Sequence, residues 1–385
     1  MTTTHMATAE NVRSSLDEAL AGFDPEANDA VATGRDYLQR LAAGGWAVPA
    51  WPSDLGGRGA GPEEAAEIEE ALGQQPRPDL GPYAGGLVLA GPLLLMHGTR
   101  AQQERWVPGI ARGDTIWCQL FSEPGAGSDI AGLTTSAVRQ GDDWVLNGQK
   151  VWTSRAHLAD FGICLTRTNP SAPKHRGITM FVVDMHAPGV TIRPLTQMTG
   201  DAEFNEVFLD GVVVPDAHRI GAVDDGWAMT LATLSFERAT TIQREPAADP
   251  LRIPDWLAAL ARDGSLDDPV LADEAMRAYA LGVAAACADV LMHERQAAGL
   301  PGAEGSGGKL RHSAVYKAAA RVSHEASGLH ALTQGEHSWR ILLAPSKSIR
   351  GGTDEIQRNI LSERVLRLPK DPAAPAPRPT TEEKP

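Results

Sequence analysis

Three patterns of apolar and polar positions follow one another along the 385 residues. From residue 11 to about 114 the chain is rich in Ala and Glu, as from Glu63 to Leu72. Pro49, Pro52, Gly56-Gly57, Pro76 and Pro78 interrupt the runs. This predicts helices separated by loops, because Pro removes an amide donor and Gly frees the backbone. Pro92 opens Leu93-Leu94-Leu95-Met96, which reads as buried helix. Near residue 115 the pattern shortens. Ile178 to Val183 is a buried-strand run, and Gly189 to Pro194 is a shorter one. Asn147-Gly148 follows Trp144-Val145-Leu146, and Asp210-Gly211 separates Val207-Phe208-Leu209 from Val212-Val213-Val214. Both read as hairpin turns, since such pairs adopt the positive φ that two-residue turns need. Gln140-Gly141-Asp142-Asp143 reads as a further turn. After Gly226 helix returns. Trp227 to Gln243 lacks Gly and Pro, and residues 270–298 carry Leu271, Ala275, Tyr279, Val283 and Val290 near helical spacing. Residues 309–343 and 353–366 read as helical too.

The expected architecture is mainly α with a central β domain. It comprises a helical domain at 11–114, a β domain at 115–222 and a second helical domain at 223–369. The tail at 370–385 is Pro-rich and charged, with little but Ala to pack, and reads as disordered. Residues 1–10 are left outside the fold. The formal charge of −14 argues against nucleic acid as a partner, because phosphate binding needs a basic face. It leaves room for a local basic mouth taking an anionic ligand such as coenzyme A. Cys118, Cys164 and Cys287 are far apart, so neither a metal site nor a disulfide framework is expected, and the cytoplasm is the default compartment. No stretch reads as long and apolar enough to span a bilayer. The first ten residues lack a basic region followed by an apolar run, so no secretory signal is expected there.

The most informative stretch is Ser122-Glu123-Pro124-Gly125-Ala126-Gly127-Ser128-Asp129, followed downstream by Val151-Trp152-Thr153-Ser154. Glycines let a ligand approach the main chain, Ser122, Ser128 and Ser154 offer hydroxyls, and Trp152 offers a flat face. Such a set suits a heteroaromatic cofactor. A second block, Arg350-Gly351-Gly352-Thr353-Asp354-Glu355-Ile356-Gln357-Arg358-Asn359, lies near the end. Together, in this order and spacing, the two blocks resemble the signatures of the acyl-CoA dehydrogenase family over roughly residues 20–369. The resemblance implies an N-terminal helical domain, a central β-barrel and a C-terminal four-helix bundle. It also implies bound FAD and oxidation of an acyl-CoA between its α and β carbons, a CH–CH oxidoreductase reaction of lipid and fatty-acid degradation. An electron-transfer flavoprotein is then the expected acceptor.

The same resemblance assigns residues. Phe121, Ser122, Gly127, Ser128, Trp152 and Ser154 correspond to positions around the flavin ring, with Trp152 shielding one face and Ser154 near the nitrogen that accepts hydride. Thr353 and Glu355 correspond to contacts with the adenylate end of FAD, although Thr353 equally suits a helix cap. Ser128 and Arg238 correspond to positions along the acyl-pantetheine. Most members carry the catalytic glutamate directly before the Gly-Thr pair of the second block, where this chain has Gly351. A minority, including isovaleryl- and long-chain-type enzymes, carry it on an earlier helix just before an arginine. Leu234-Ser235-Phe236-Glu237-Arg238 stands there, so Glu237 is the expected base. The backbone N–H of Gly351 is the expected donor to the thioester oxygen.

Two family motifs are weak. His293-Glu294-Arg295-Gln296-Ala297-Ala298-Gly299 lacks the Phe-Gly of an Arg-x-x-Phe-Gly segment, and Thr333-Gln334-Gly335-Glu336-His337 stands where many members have Gly-Gly. Both segments serve subunit contacts. The expected assembly is therefore either a homo-oligomer, dimer or tetramer, or a hetero-oligomer with a related subunit, as in relatives that share the Glu304-Gly305-Ser306 type of segment. Two other readings keep the fold: a flavin-dependent monooxygenase, against which Glu237 argues, and a non-catalytic partner subunit. Gly305-Ser306-Gly307-Gly308-Lys309-Leu310 fails the phosphate-loop pattern, because position 303 is Ala303 and no hydroxyl follows the lysine. No metal is expected at His312, His324, His330 or His337.

Overall fold

A computed structural model describes residues 2–243, 253–297 and 304–369. For residues 2–9, 235–243, 293, 296, 297 and 304 it describes the main chain alone. The segment 370–385, expected to be disordered, lies outside the described residues. Packing divides the chain into two units, Met1–Pro246 and Ala247–Pro385.

In the first unit helix α1 spans Thr2–Ala19, so its main chain includes residues 2–10, which the expected fold left out. Helix α2, Ala30–Ala42, starts where the Asp29 carboxylate accepts hydrogen bonds from the amides of Val31 and Ala32. Helices α3, Pro62–Gly73, α4, Gly91–His97, and α5, Arg100–Ala111, follow. A π-helical turn, Gly85–Ala90, runs directly into α4. Thr99 and Gln102 form a reciprocal capping box at the start of α5. Leu16, Tyr37, Leu38, Leu41, Ile68 and Tyr83 form the buried apolar faces of this layer. Of the apolar run read as buried helix, Leu93 and Leu94 are fully buried, whereas Leu95 is half-buried and Met96 is exposed.

Eight strands make one sheet: β1 (Trp117–Leu120), β2 (Ser136–Gln140), β3 (Asp143–Ser154), β4 (Phe161–Arg167), β5 (Ile178–Asp184), β6 (Val190–Leu195), β7 (Phe204–Pro215) and β8 (Arg219–Ile220). Their order is β6-β7-β3-β2-β4-β5-β8, with β1 parallel to β4. Strand β5 is buried from Ile178 to Val183, which explains its unbroken apolar run. The turn at Gln140–Asp143 joins β2 to β3 as expected. The other two turn signals prove to be something else. Asn147-Gly148 lies inside β3 and Asp210-Gly211 inside β7, and the two strands pair antiparallel. The register passes from Leu146↔Val212 to Gly148↔Leu209, so Asp210 and Gly211 together oppose Asn147. Both dipeptides thus belong to one β-bulge, and the Asn147 side chain accepts a hydrogen bond of 2.8 Å from the Gly211 amide. Gly211 supplies the left-handed φ of +64°. A Cβ on Gly148 would come within 2.7 Å of the Thr135 Cα. Gly148→Ala is therefore expected to destabilise the chain by about 1–3 kcal/mol through overpacking, measurable by urea unfolding.

Helix α6, Gly226–Gln243, closes the first unit against β5, α4 and the π-helical turn. Met229, Thr230 and Thr233 are buried, and both threonine hydroxyls donate to carbonyls one turn back, at 2.8 Å.

The second unit holds α7 (Asp255–Arg262), α8 (Pro269–Ala297), α9 (Glu304–Ala326), α10 (Glu336–Leu343) and α11 (Asp354–Arg364). Helix α9 packs against α8, α10 and α11. The expected continuous helix over 309–343 is broken by Gly328, which takes φ +51°, and by the loop before α10. The glycines of Gly305–Gly308 lie in the opening turns of α9, not in a loop. Within α8, Pro269–Met292 is long and apolar enough to cross a membrane, with a mean hydropathy of 1.4, which corrects the expectation that no such stretch exists. The same helix carries buried Asp289, paired with Arg311 at 3.0 Å and His312 at 2.7 Å from α9. An ion-paired acid facing a neighbouring helix suits a bundle.

Candidate functional site

The loop after β1 is fixed before any ligand is considered. Glu123 and Ala126 exchange backbone hydrogen bonds of 3.1 and 3.0 Å, folding Ser122–Gly127 into a tight turn. The Glu123 carboxylate is buried. It accepts from the Thr134 amide at 2.7 Å, the Thr134 hydroxyl at 2.8 Å, the Thr135 amide at 2.9 Å and the Lys150 ammonium at 2.8 Å. Lys150 is fully buried on β3 and donates also to the Phe121 carbonyl at 3.2 Å. Burial pushes the Glu123 pKa up, but the Lys150 charge and hydrogen bond, with those of Thr135 and Thr134, outweigh it and hold it at about 2.

Beyond Lys150 the strand bulges. Register passes from Lys150↔Val207 to Thr153↔Asn205, leaving Val151 and Trp152 opposite Glu206 alone. The Val151 amide donates to the Ser122 carbonyl at 2.9 Å, which ties the loop to the bulge. Trp152 takes φ +59°, a conformation costly for a bulky residue. Burial alternates here: Val151 and Thr153 point inward, Trp152 and Ser154 outward. The indole is 60 % exposed and meets Phe204 edge-on at 5.9 Å between ring centres. Gly127 and Ser128 are exposed, and a Cβ on Gly125 or Gly127 would meet nothing within 4 Å. Ser128 precedes Asp129, which pairs with Lys174 at 2.9 Å. Phe121 stands apart from the other sequence-assigned residues: its ring lies in the apolar core and its carbonyl is taken by Lys150, so it supports the loop from beneath. Sequence reasoning overlooked Glu123 and Lys150. The available signal was a lone acid and a lone base, each flanking a residue already singled out.

In the second unit Arg350 to Asn359 forms a glycine turn and the start of α11. Gly351 and Gly352 take φ +69° and +86°. The buried Gln357 side chain donates to the Gly351 carbonyl at 2.9 Å and clamps the turn. Thr353 caps α11, its hydroxyl accepting from the Ile356 amide at 3.3 Å. Glu355 is exposed in the first turn, 3.7 Å from Arg358. Asp354 is anchored by Lys309 at 2.7 Å and Lys317 at 3.5 Å. Burial opposes its ionisation, but hydrogen bonds from Lys309 and Ser348 and the two lysine charges hold its pKa below the usual value. A Cβ on Gly351 would have open space, yet the left-handed backbone strains any residue but Gly. That is a local reason for a glutamate to be absent here.

Glu237 and Arg238 lie on the backbone of α6, and their side chains fall outside the described residues. Helical spacing puts position 237 one turn beyond Thr233.

Comparison with known proteins bears on all of this. The acyl-CoA dehydrogenase N-terminal domain profile matches residues 2–114, and the middle domain profile matches residues 118–212. Acyl-CoA dehydrogenase IpdE1 of Mycobacterium tuberculosis is 36 % identical over 351 residues, covering 88 % of this chain and 88 % of IpdE1. The chain belongs to the acyl-CoA dehydrogenase family. FadE34 of the same organism, also an acyl-CoA dehydrogenase, is 42 % identical over 359 residues. That match covers 91 % of this chain but 49 % of FadE34, so the chain spans about half the length of that relative. The solved structure titled Tcur3481-Tcur3483 steroid ACAD superposes with a TM-score of 0.78 at 26 % identity, covering 95 % of this chain and 98 % of the other. The family is FAD-dependent and oxidises acyl-CoA thioesters in lipid metabolism. These relatives support dehydrogenation and not the monooxygenase alternative. The exposed indole and the open space over Gly125 and Gly127 fit a planar cofactor laid beside the bulge.

Proposed function

We propose that the chain catalyses α,β-dehydrogenation of a ring-bearing acyl-CoA to the trans-2-enoyl-CoA, in the cytoplasm. The observation that carries the flavin half of this reading is the Trp152 bulge, whose exposed indole is held beside Ser122 by the Val151 amide. FAD, when bound, supplies the hydride acceptor. Trp152 covers one face of the ring, and Ser122, Gly127, Ser128 and Ser154 line its edge with hydroxyls and open main chain. Thr353 and Glu355 are assigned to the adenylate end, where Thr353 serves through the helix terminus it caps. Glu237 takes the α proton of the thioester, and Arg238 and Ser128 hold the acyl-pantetheine. The Gly351 N–H donates to the thioester oxygen as charge builds there, and a fixed donor of this kind is often a large catalytic contribution.

The ring-bearing substrate class and the assembly rest on the relatives. One is titled a steroid ACAD and carries two subunit names, and FadE34 is about twice as long as the matched region. A hetero-oligomer with a related subunit is therefore favoured over a homotetramer. An electron-transfer flavoprotein is the proposed acceptor. The test is to purify the chain, alone and with candidate partner subunits, and record its visible spectrum. A yellow flavin band bleached by a steroid-type acyl-CoA, and less by a short straight-chain one, is the expected result. A bound flavin that no acyl-CoA bleaches would overturn the activity.

A further inference from the structure

We propose that Glu123 and Lys150 are positioning residues for the flavin, holding Ser122 and Trp152 in one fixed register. The inference rests on the flavin reading above. Ser122 and Trp152 sit on separate elements, a loop and a bulged strand, and nothing in their own sequence keeps them adjacent. The ion pair does so from below. Lys150 immediately precedes the bulge, and its ammonium binds on both sides of Ser122: the Phe121 carbonyl at 3.2 Å and the Glu123 carboxylate at 2.8 Å. Glu123 is held in turn by Thr134 and Thr135 across the loop, at 2.7 to 2.9 Å. The Val151 amide then closes onto the Ser122 carbonyl at 2.9 Å. Every link is a directional hydrogen bond, and the two charged side chains are 0 and 4 % exposed.

Stability alone does not call for such a pair. Well-packed apolar side chains of similar volume serve a core as well or better, because two charges must be stripped of water. What an apolar replacement cannot supply is direction. It would leave the Phe121 carbonyl and the Thr134 and Thr135 amides without their partner, and the loop free to shift against the strained Trp152.

The test separates position from stability. FAD dissociation is followed by flavin fluorescence on dilution of the holoenzyme, alongside urea unfolding midpoints, for Lys150→Met, Glu123→Gln and the double variant. Each single change is expected to weaken FAD binding by roughly tenfold or more, with a lowered midpoint, since it leaves a buried group unpaired. The double variant is expected to recover part of the midpoint, because no buried charge is left unpaired although the Phe121 carbonyl is, yet keep the weakened FAD binding. An FAD affinity within about twofold of the unaltered chain in the double variant, or one that follows the midpoint across all three, overturns the proposal. If the charged variants do not fold, Thr134→Val removes one hydroxyl donor to Glu123 and no charge. It is then expected to weaken FAD binding about threefold with a slightly lowered midpoint, and no weakening of FAD binding overturns the proposal. An unaltered chain that holds no FAD sinks the flavin reading instead.

Discussion

Glu237→Gln is expected to lower turnover by roughly 10²- to 10⁴-fold while leaving FAD and acyl-CoA binding intact. Glutamine matches the shape and polarity of the side chain but cannot take a proton, so the loss falls on kcat and not on cofactor retention. Two observations point to this helix. The family's commoner position for the base is occupied by Gly351, whose φ of +69° strains any side chain. Helix α6 packs against β5, α4 and the π-helical turn with Met229, Thr230 and Thr233 buried, and the main chain at 237 lies one turn beyond Thr233. Stopped-flow reduction of the flavin by acyl-CoA measures the step directly. Reduction at the unaltered rate would remove Glu237 from the mechanism and favour a partner subunit as the source of the base.

Much of the architecture was legible because it rests on periodicity. The switch from helical to alternating spacing near residue 115, and back after Gly226, is recorded in the apolar positions themselves. The unbroken run of β5 likewise announced burial on both faces. What misled was local turn chemistry. Asn147-Gly148 and Asp210-Gly211 each permit positive φ, but the same freedom serves a bulge, and only the pairing of β3 with β7 decides between them. Helix α9 was read as longer than it is because Gly328 ends it without a proline to mark the place. The assignment of residues to the flavin side rests on the order of two motifs, not on any physical signal of their own. The strain at Trp152 and the partnership of Glu123 with Lys150, 27 residues apart, exist only after the sheet has formed.

Acid should expose that partnership. Glu123 has a folded-state pKa of about 2 against an ordinary 4.5, so the unfolded chain binds its proton first as pH falls. The stabilisation is fully present above the unfolded value and is lost as pH drops from about 4.5 towards 2. A shift of this size in a buried group is worth about 3 kcal/mol. Glu123→Gln lacks the titration. The stability difference between the unaltered chain and this variant is thus expected to shrink by about 3 kcal/mol as pH falls from about 4.5 towards 2. Urea unfolding midpoints of both chains across that range measure it. A difference that stays constant down to pH 3 would mean that Glu123 has the same pKa in the folded and unfolded chains, so that its ionised form gains nothing from Lys150 and the two threonines. The direction matters for function as well: the Glu123 carboxylate beneath Ser122 and Trp152 stays ionised throughout the neutral range, so any pH dependence of turnover between 6 and 8 must come from groups other than this carboxylate.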